Sequence, residues 1–302
     1  MTTNPRVPFE LASDRKVLPP PNGKHVIVHV VVNVENWRFD HGMPRKLITP
    51  PHGIDSVPDV PNFAWAEYGM RCGMPRIFRV LEERNLPATC ALNAGVIETY
   101  PRLADAIKDA KWELMGHGLH QKAMHTEERE ADTIKRALDL IANFSGSRVR
   151  GWLGPGLRQT NDTPDILKAA GVDYCCDWVL DDLPTWMKTK HGPLICMPYT
   201  LEINDSVMHA IQHYSSDEME RRVVDTLAAF EKERDMGPRI LTLALHPHLV
   251  AVPHRIGYLE AVLDMLTARD DTIFMTGSQI ADWYQSVEPA PSVAAGRDQR
   301  TN

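Results

Sequence analysis

Glu35, His117 and His246 are side chains whose types and positions could together hydrolyse a bond. Glu35 closes the run Val30-Val-Val-Asn-Val-Glu35, His117 lies between glycines in Met115-Gly-His117-Gly118, and His246 ends Leu243-Ala-Leu-His246-Pro-His248. Each follows a short apolar stretch with the character of a buried strand. A carboxylate can take a proton from water, and an imidazole, whose pKa lies near neutrality, can pass one to a leaving nitrogen. The residues are read accordingly, with Glu35 as base, His246 as acid and His117 as a contact to substrate or oxyanion. Cleaving a C–N bond also requires donors for the developing oxyanion. Asn36, Gln121 and the amides of the loop Gly151-Trp-Leu-Gly154-Pro-Gly156 are further candidates for that task. Arg71 and Arg158 have the planar fork that suits a carboxylate or imide oxygen, and Trp37, Trp152, Trp178 and Trp186 could shape a pocket for a flat ring.

These groups need a scaffold that brings distant segments together, and the surrounding pattern predicts one. Strands are expected over 25–33, 88–92, 112–115, 149–152, 172–176, 194–197, 240–245 and 272–275, where β-branched and apolar residues run together. Helices are expected between them. One has Pro75 in its first turn and Ile77, Phe78 and Leu81 on one face; others cover 101–110, 126–144, 256–268 and 278–284. Another runs from Thr163 to Gly171, and Ser215-Ser-Asp-Glu218 reads as a capping box for a helix reaching about Asp235. Such alternation predicts an α/β fold with a parallel sheet, open or closed into a barrel. In a β/α barrel the chemistry lies at the carboxyl ends of the strands. Glu35 with Asn36, His117 with His120, the stretch from Trp152 to Arg158, Asp177 with Asp181 and Asp182, and His246 with His248 all follow expected strands. The insert 36–67 is too long for an ordinary connection and is expected to cover the site as a lid.

The chain has 302 residues, with 43% hydrophobic and 24% charged residues, which suits a globular protein with a sizeable core. Its formal net charge is -7, and no Lys/Arg-rich run is present, so neither nucleic acid nor an anionic membrane is an expected partner. No apolar run approaches the roughly 20 residues of a membrane span. The N-terminus does not pair a basic segment with an apolar one, so the expected location is cytoplasmic. The five cysteines show no CxxC spacing and read as reduced, buried thiols, with Cys175 and Cys176 on opposite faces of one strand. The expected organisation is an arm over 1–24, one catalytic barrel over 25–285 and a flexible tail over 286–302. A homo-oligomer is expected.

Several segments taken together resemble a known family. They are Val30-Val-Val-Asn-Val-Glu35-Asn36, Glu67-Tyr-Gly-Met-Arg71-Cys-Gly73, Gly116-His117-Gly118, Arg150-Gly-Trp152, Asp177 followed by Asp181-Asp182-Leu-Pro184 with Trp186, and His246-Pro-His248 followed by Pro253-His254-Arg255-Ile256. The set is similar to the polysaccharide deacetylase (NodB-like, carbohydrate esterase 4) superfamily, and within it to the allantoinase-like branch that acts on cyclic ureides, imides and other small amides. The resemblance implies a distorted (β/α)7-8 barrel. In the deacetylases an Asp-Asp pair after the first strand supplies the base and a metal ligand, and two histidines four residues apart supply the other ligands. The matching positions here are Glu35, Asn36, His117 and Gln121. Zinc prefers charged or strongly donating ligands, so this set implies a metal-independent hydrolase. The alternative is Zn2+ or another divalent cation held by Glu35, His117 and either His120 or Gln121.

Structural roles compete with these assignments. Arg71 and Arg158 could form ion pairs, Asp181-Asp182 could cap a turn, and His248 could brace the rim. The expected function is hydrolysis of a non-peptide C–N bond in a small amide, imide or ureide, with Asn36, Arg71, Gln121, Trp152, Arg158, Asp181, Asp182 and His248 contacting substrate. The alternatives are a zinc-dependent deacetylase of N-acetylated sugars and a barrel that binds a small molecule without turning it over.

Overall fold

Residues 3–50 and 52–291 are described in a computed structural model. Its strands are β1 (Val26–Val34), β2 (Thr89–Leu92), β3 (Glu113–Gly116), β4 (Gly151–Trp152), β5 (Tyr174–Cys175), β6 (Thr185–Met187), β7 (Leu194–Cys196), β8 (Arg239–Leu245) and β9 (Thr272–Phe274). The helices are α1 (Val60–Tyr68), α2 (Met74–Glu82), α3 (Gly95–Thr99), α4 (Pro101–Asp109), α5 (Glu130–Ser145), α6 (Thr163–Ala169), α7 (Glu218–Lys232), α8 (Ile256–Thr267) and α9 (Gly277–Val287). The strand order is β6-β7-β5-β4-β3-β2-β1-β8, parallel throughout except for β6 against β7. β9 pairs with Val26–Val28 of β1, on the edge where β2 takes over from Val31.

The expected barrel is present as a curled half-barrel whose ladder does not close. Across the open seam, irregular chain lies against β8: Ile240 N donates to the Asp182 carbonyl at 3.0 Å and Ala244 N to Ile203 at 3.2 Å. A single parallel bridge, Asn204 to Ala244, continues that line.

Two apolar layers follow from strand alternation. Even-numbered β1 residues, Val26 to Val34, face outward onto Ile77 and Leu81 of α2, Ile134 and Ile141 of α5, Val223 of α7 and Leu259 of α8. Odd-numbered Ile27 and Val31 face inward with Ala91, Met115, Tyr174, Cys176, Tyr199 and Ala244. Cys175 lies in the outer layer and Cys176 in the inner one, as adjacent strand residues must.

α9 plugs the amino-terminal end of the barrel with Ile280, Ala281, Trp283 and Tyr284. Thr276 and Gln279 form a reciprocal capping box at its start. The Glu113 carboxylate beneath accepts from Ser278 N at 2.9 Å and from the Tyr174 hydroxyl at 2.8 Å. The Tyr174 ring fits this spot because its neighbours are glycines: a Cβ on Gly151 would lie 2.0 Å from the ring, and one on Gly277 2.2 Å from the hydroxyl.

Several expectations need correction. The box at Ser215–Glu218 is absent, because Glu218 is drawn to Arg222 (2.8 Å) and Arg221 instead of to its helix start. The insert carries a helix of its own, α1. The N-terminal arm is tied to the barrel by a buried Arg6–Asp165 pair at 2.9 Å and by Trp283 Nε1 donating to the Pro19 carbonyl. The expected tail from 286 begins two residues late, since α9 continues to Val287, and 292–302 lie outside the described residues.

Gly151→Ala forces the ring of Tyr174 out of its slot. Overpacking of this kind costs about 1–3 kcal/mol, so the denaturant midpoint of the variant should fall with the slope unchanged.

Candidate active site

The inward register of β1 reads Ile27, His29, Val31, Asn33 and then Glu35, so the interior becomes polar toward the carboxyl end. β8 does the same through Ile240, Thr242 and Ala244 to His246. β3 turns in Met115 and then His117, and β2 turns in Ala91 and then Asn93. Because these strands are neighbours, one row of the barrel mouth carries Glu35, His246, Asn93 and His117. All four are buried.

Glu35 is the centre of the row. Its Oε1 accepts from Gln121 Nε2 at 2.8 Å and lies 3.5 Å from His246 Nε2, while its Oε2 accepts from Trp37 Nε1 at 3.1 Å. On the far side of the imidazole, Nδ1 lies 2.6 Å from Asp205 Oδ1, and the His246 backbone N–H donates to Asp205 Oδ2 at 2.6 Å. Asp205 is fully buried. It reaches this place because the Asn204–Ala244 bridge aligns its segment with β8. No sequence signal marked it: the segment has no strand-like run, and only the seam pairing puts it beside His246.

Charges in this row support one another. Burial works against a cationic His246, but Asp205 and Glu35 outweigh it and raise the pKa to about 9. Burial likewise pushes the Glu35 carboxyl up, and the hydrogen bond and charge of His246 outweigh that and hold it at about 2. For His248 burial outweighs the more distant charges of Glu35 and Asp205 and lowers it to about 4. His117 is lowered too, chiefly by burial, and its Nδ1 lies 2.5 Å from the Leu153 carbonyl.

The site is closed from above. A cavity of about 10 Å³, space for a single water, is lined by Asn33, Glu35, Trp37, Ala66, Met70 and His248. Trp65 packs edge-on against His248, with ring centres 4.7 Å apart. The π-helical turn Gly69–Gly73 lies directly on the loop after β8: a Cβ on Gly69 would come within 2.5 Å of His248 N, and one on Gly73 within 2.2 Å of the Pro247 carbonyl. The end of the expected lid thus covers Glu35. A larger groove of about 840 Å³ lies at the opposite end, bordered by Phe9, Leu183, Trp186 and Tyr284, far from these groups.

Glu35, His117, His246, Gln121, His248 and Trp37 are therefore brought together, and other expected contacts are not. Asn36 turns its amide away to Thr99 Oγ1 (3.1 Å) and His120 Nδ1 (3.3 Å). Trp152 is fully buried in the outer layer, because it pairs with Gly116, the outward-facing residue before His117. Arg71 is exposed beside Glu67, at 4.0 Å. Arg158 is exposed on the loop after β4. Asp181 and Asp182 lie on the wrong rim. Asp181 pairs with Arg15 at 2.5 Å and Asp182 receives Ile240 at the start of β8, about 20 Å below His246 at 3.3 Å per strand residue. Trp186 lies there as well, bonded to the Glu288 carbonyl at 3.1 Å. Asp177 accepts from Gly154 N at 2.5 Å, and burial raises it to about 7.

The fit of a zinc ion can be judged from the donors. Asn36 and His120 engage each other, Gln121 presents its N–H to Glu35, and Glu35 is paired with a cation. Among the described residues no three His, Cys, Asp or Glu side chains are grouped to hold a metal. This set does not suit zinc.

Comparison with known proteins gives consistent relatives. The polysaccharide deacetylase family model matches residues 65–175. A protein of Schizosaccharomyces pombe (strain 972) named for a polysaccharide deacetylase is 25% identical over 305 residues, covering 90% of this chain and 93% of its own. The crystal structure of Puue allantoinase superposes with a TM-score of 0.81 at 22% identity, covering 94% of this chain and 99% of that one. A structure from Pseudomonas aeruginosa PAO1, named for a polysaccharide deacetylase, gives 0.80 at 22% identity, with 92% and 97% covered.

Asp205 and Glu35 raise His246, so its proton is held in the folded protein up to about pH 9 and lost above it. Asp205→Asn removes one of the two anions and leaves burial to dominate. The histidine titration read by NMR should move to lower pH by about one unit or more. An unchanged titration would show that Asp205 does not set the charge.

Proposed function

We propose, from its similarity to the polysaccharide deacetylase family, that the chain hydrolyses non-peptide C–N bonds in a small linear or cyclic amide, imide or ureide. The observation that carries this reading is the buried line Asp205–His246–Glu35, an acid and a base side by side in opposite charge states. The water-sized cavity favours a small substrate admitted by movement of α1 over a polymer bound in an open groove.

The chemistry follows from the pair. Water attacks the carbonyl carbon and gives its proton to Glu35, while His246 Nε2–H gives its proton to the leaving nitrogen. The two transfers assist each other: as the imidazolium loses its charge, the carboxylate that it had kept weakly basic becomes a stronger base. Afterwards the proton on Glu35 returns to His246, which lies 3.5 Å away, and both groups are restored. Asp205 orients the ring and holds its charge, a positioning role. His117 does not fit the oxyanion role, because its hydrogen is on Nδ1, directed at Leu153.

A zinc-dependent deacetylase of N-acetylated sugars, the activity that the relatives' names suggest, lacks support from the donor set. The substrate class is tested by turnover on allantoin, succinimide, hydantoins and N-acetyl amino sugars. Glu35→Gln and His246→Asn should each lower kcat/KM on the accepted compound by about 10²–10⁴, read on protein whose fold is confirmed by circular dichroism because stranding a buried charge also lowers the melting temperature, and a chelator should leave the parent active. Stoichiometric metal with activity lost on chelation would favour the deacetylase. Binding without turnover would favour a non-catalytic barrel.

A further inference from the structure

His117 and Gln121 each end in a buried atom that the Glu35–His246 chemistry leaves unused. The His117 ring is fixed by the contact of Nδ1 with the Leu153 carbonyl at 2.5 Å. A carbonyl can only accept, so Nδ1 carries the hydrogen, and in the neutral ring Nε2 is a bare lone pair. That atom is buried without a partner among the described residues. Gln121 is oriented by the same logic. Its Nε2 donates to the Glu35 carboxylate at 2.8 Å, so Oε1 is the free end, and it too is buried without a partner among the described residues. The two residues adjoin, since both Gln121 and Glu35 act on the charge state of the His117 ring.

Unpartnered acceptors in a dry interior are costly, and buried polar atoms are nearly always satisfied. We infer that His117 Nε2 and Gln121 Oε1 are a substrate subsite that accepts N–H groups, so the enzyme selects compounds with unsubstituted amide or ureide nitrogens beside the carbonyl. An ether oxygen or an alkylated nitrogen in that place would face lone pairs or bulk and leave the acceptors unpaired, the arrangement by which a buried hydrogen-bonding site discriminates most strongly. The inference deepens the function proposed above and rests on its placing of the substrate beside Glu35.

The test uses the intact protein and four probes: hydantoin, 1-methylhydantoin, 3-methylhydantoin and 2,4-oxazolidinedione, in which a ring oxygen replaces one N–H at nearly constant size. Affinity is read by calorimetry, or kcat/KM for any probe that is turned over, so absence of hydrolysis sinks only the previous proposal. Hydantoin should exceed the oxazolidinedione and at least one methyl isomer by about tenfold or more. In His117→Leu, whose fold is checked by its melting temperature, that ratio should fall toward one, whereas a purely structural role would change all four probes alike. Gln121→Leu serves as the second variant with the same expectation. Equal affinity across the probes in the parent protein, a ratio preserved in both variants, or no binding by any of the four would overturn the inference.

Discussion

The folded protein depends on keeping three charges of alternating sign in its interior: Asp205, His246 and Glu35. Taking any one of them out of water alone is expensive, and removing one partner of a buried pair leaves the other stranded. The arrangement survives because each charge is answered on both sides. Asp205 holds the ring nitrogen and the backbone N–H of His246, and Glu35 is met by His246, Gln121 and Trp37. Closing the mouth with α1 strengthens this line, since fewer waters screen it. The same covering leaves a reacting molecule no room beside Glu35 unless α1 and the turn after it move.

What delivers those charges is the register of a few strands. Glu35 is the fifth inward position of the β1 register, and one residue of slippage would send it into the outer apolar layer with Val34. The ladders to β8 and β2 forbid that slip, because Val26–Val32 pair along β8 and Val31–Val34 along β2. The floor of the barrel serves the mouth indirectly. Tyr174, placed between two glycines and bonded to Glu113, fixes α9 beneath the interior and closes the end away from the site.

Much of this was legible in the sequence, and the failures have physical causes. Glu35, His117 and His246 stand out because an apolar strand ends on each, and burial after such a strand requires a reason for polarity. Asp205 was illegible because no strand carries it; a seam contact between irregular chain and β8 positions it. Strict β/α alternation predicts Asp181 and Asp182 at the mouth. After β5 the chain instead runs to the floor and adds β6, antiparallel to β7, a reversal that no local pattern announces. Trp152 failed on phase. A strand of two residues gives no alternation to read, and only its pairing with Gly116 shows that the ring faces outward.

The substitutions that set this chain apart from the metal-binding pattern form a consistent group. A divalent cation beside a carboxylate lowers its pKa, orients it and supplies positive charge near the reacting carbonyl. Here the imidazolium of His246, 3.5 Å from Glu35, is positioned to supply the charge, and Gln121 and Trp37 supply the orientation. Asn36 is then free to turn outward and tie the first loop to Thr99 and His120. An imidazolium differs from a metal ion in one respect that matters for chemistry: it can give up its charge as a proton at the moment the leaving nitrogen needs one. On the proposed reading, the barrel mouth gives up a fixed cation for a transferable one, and Asp205 keeps that cation in place until it is used.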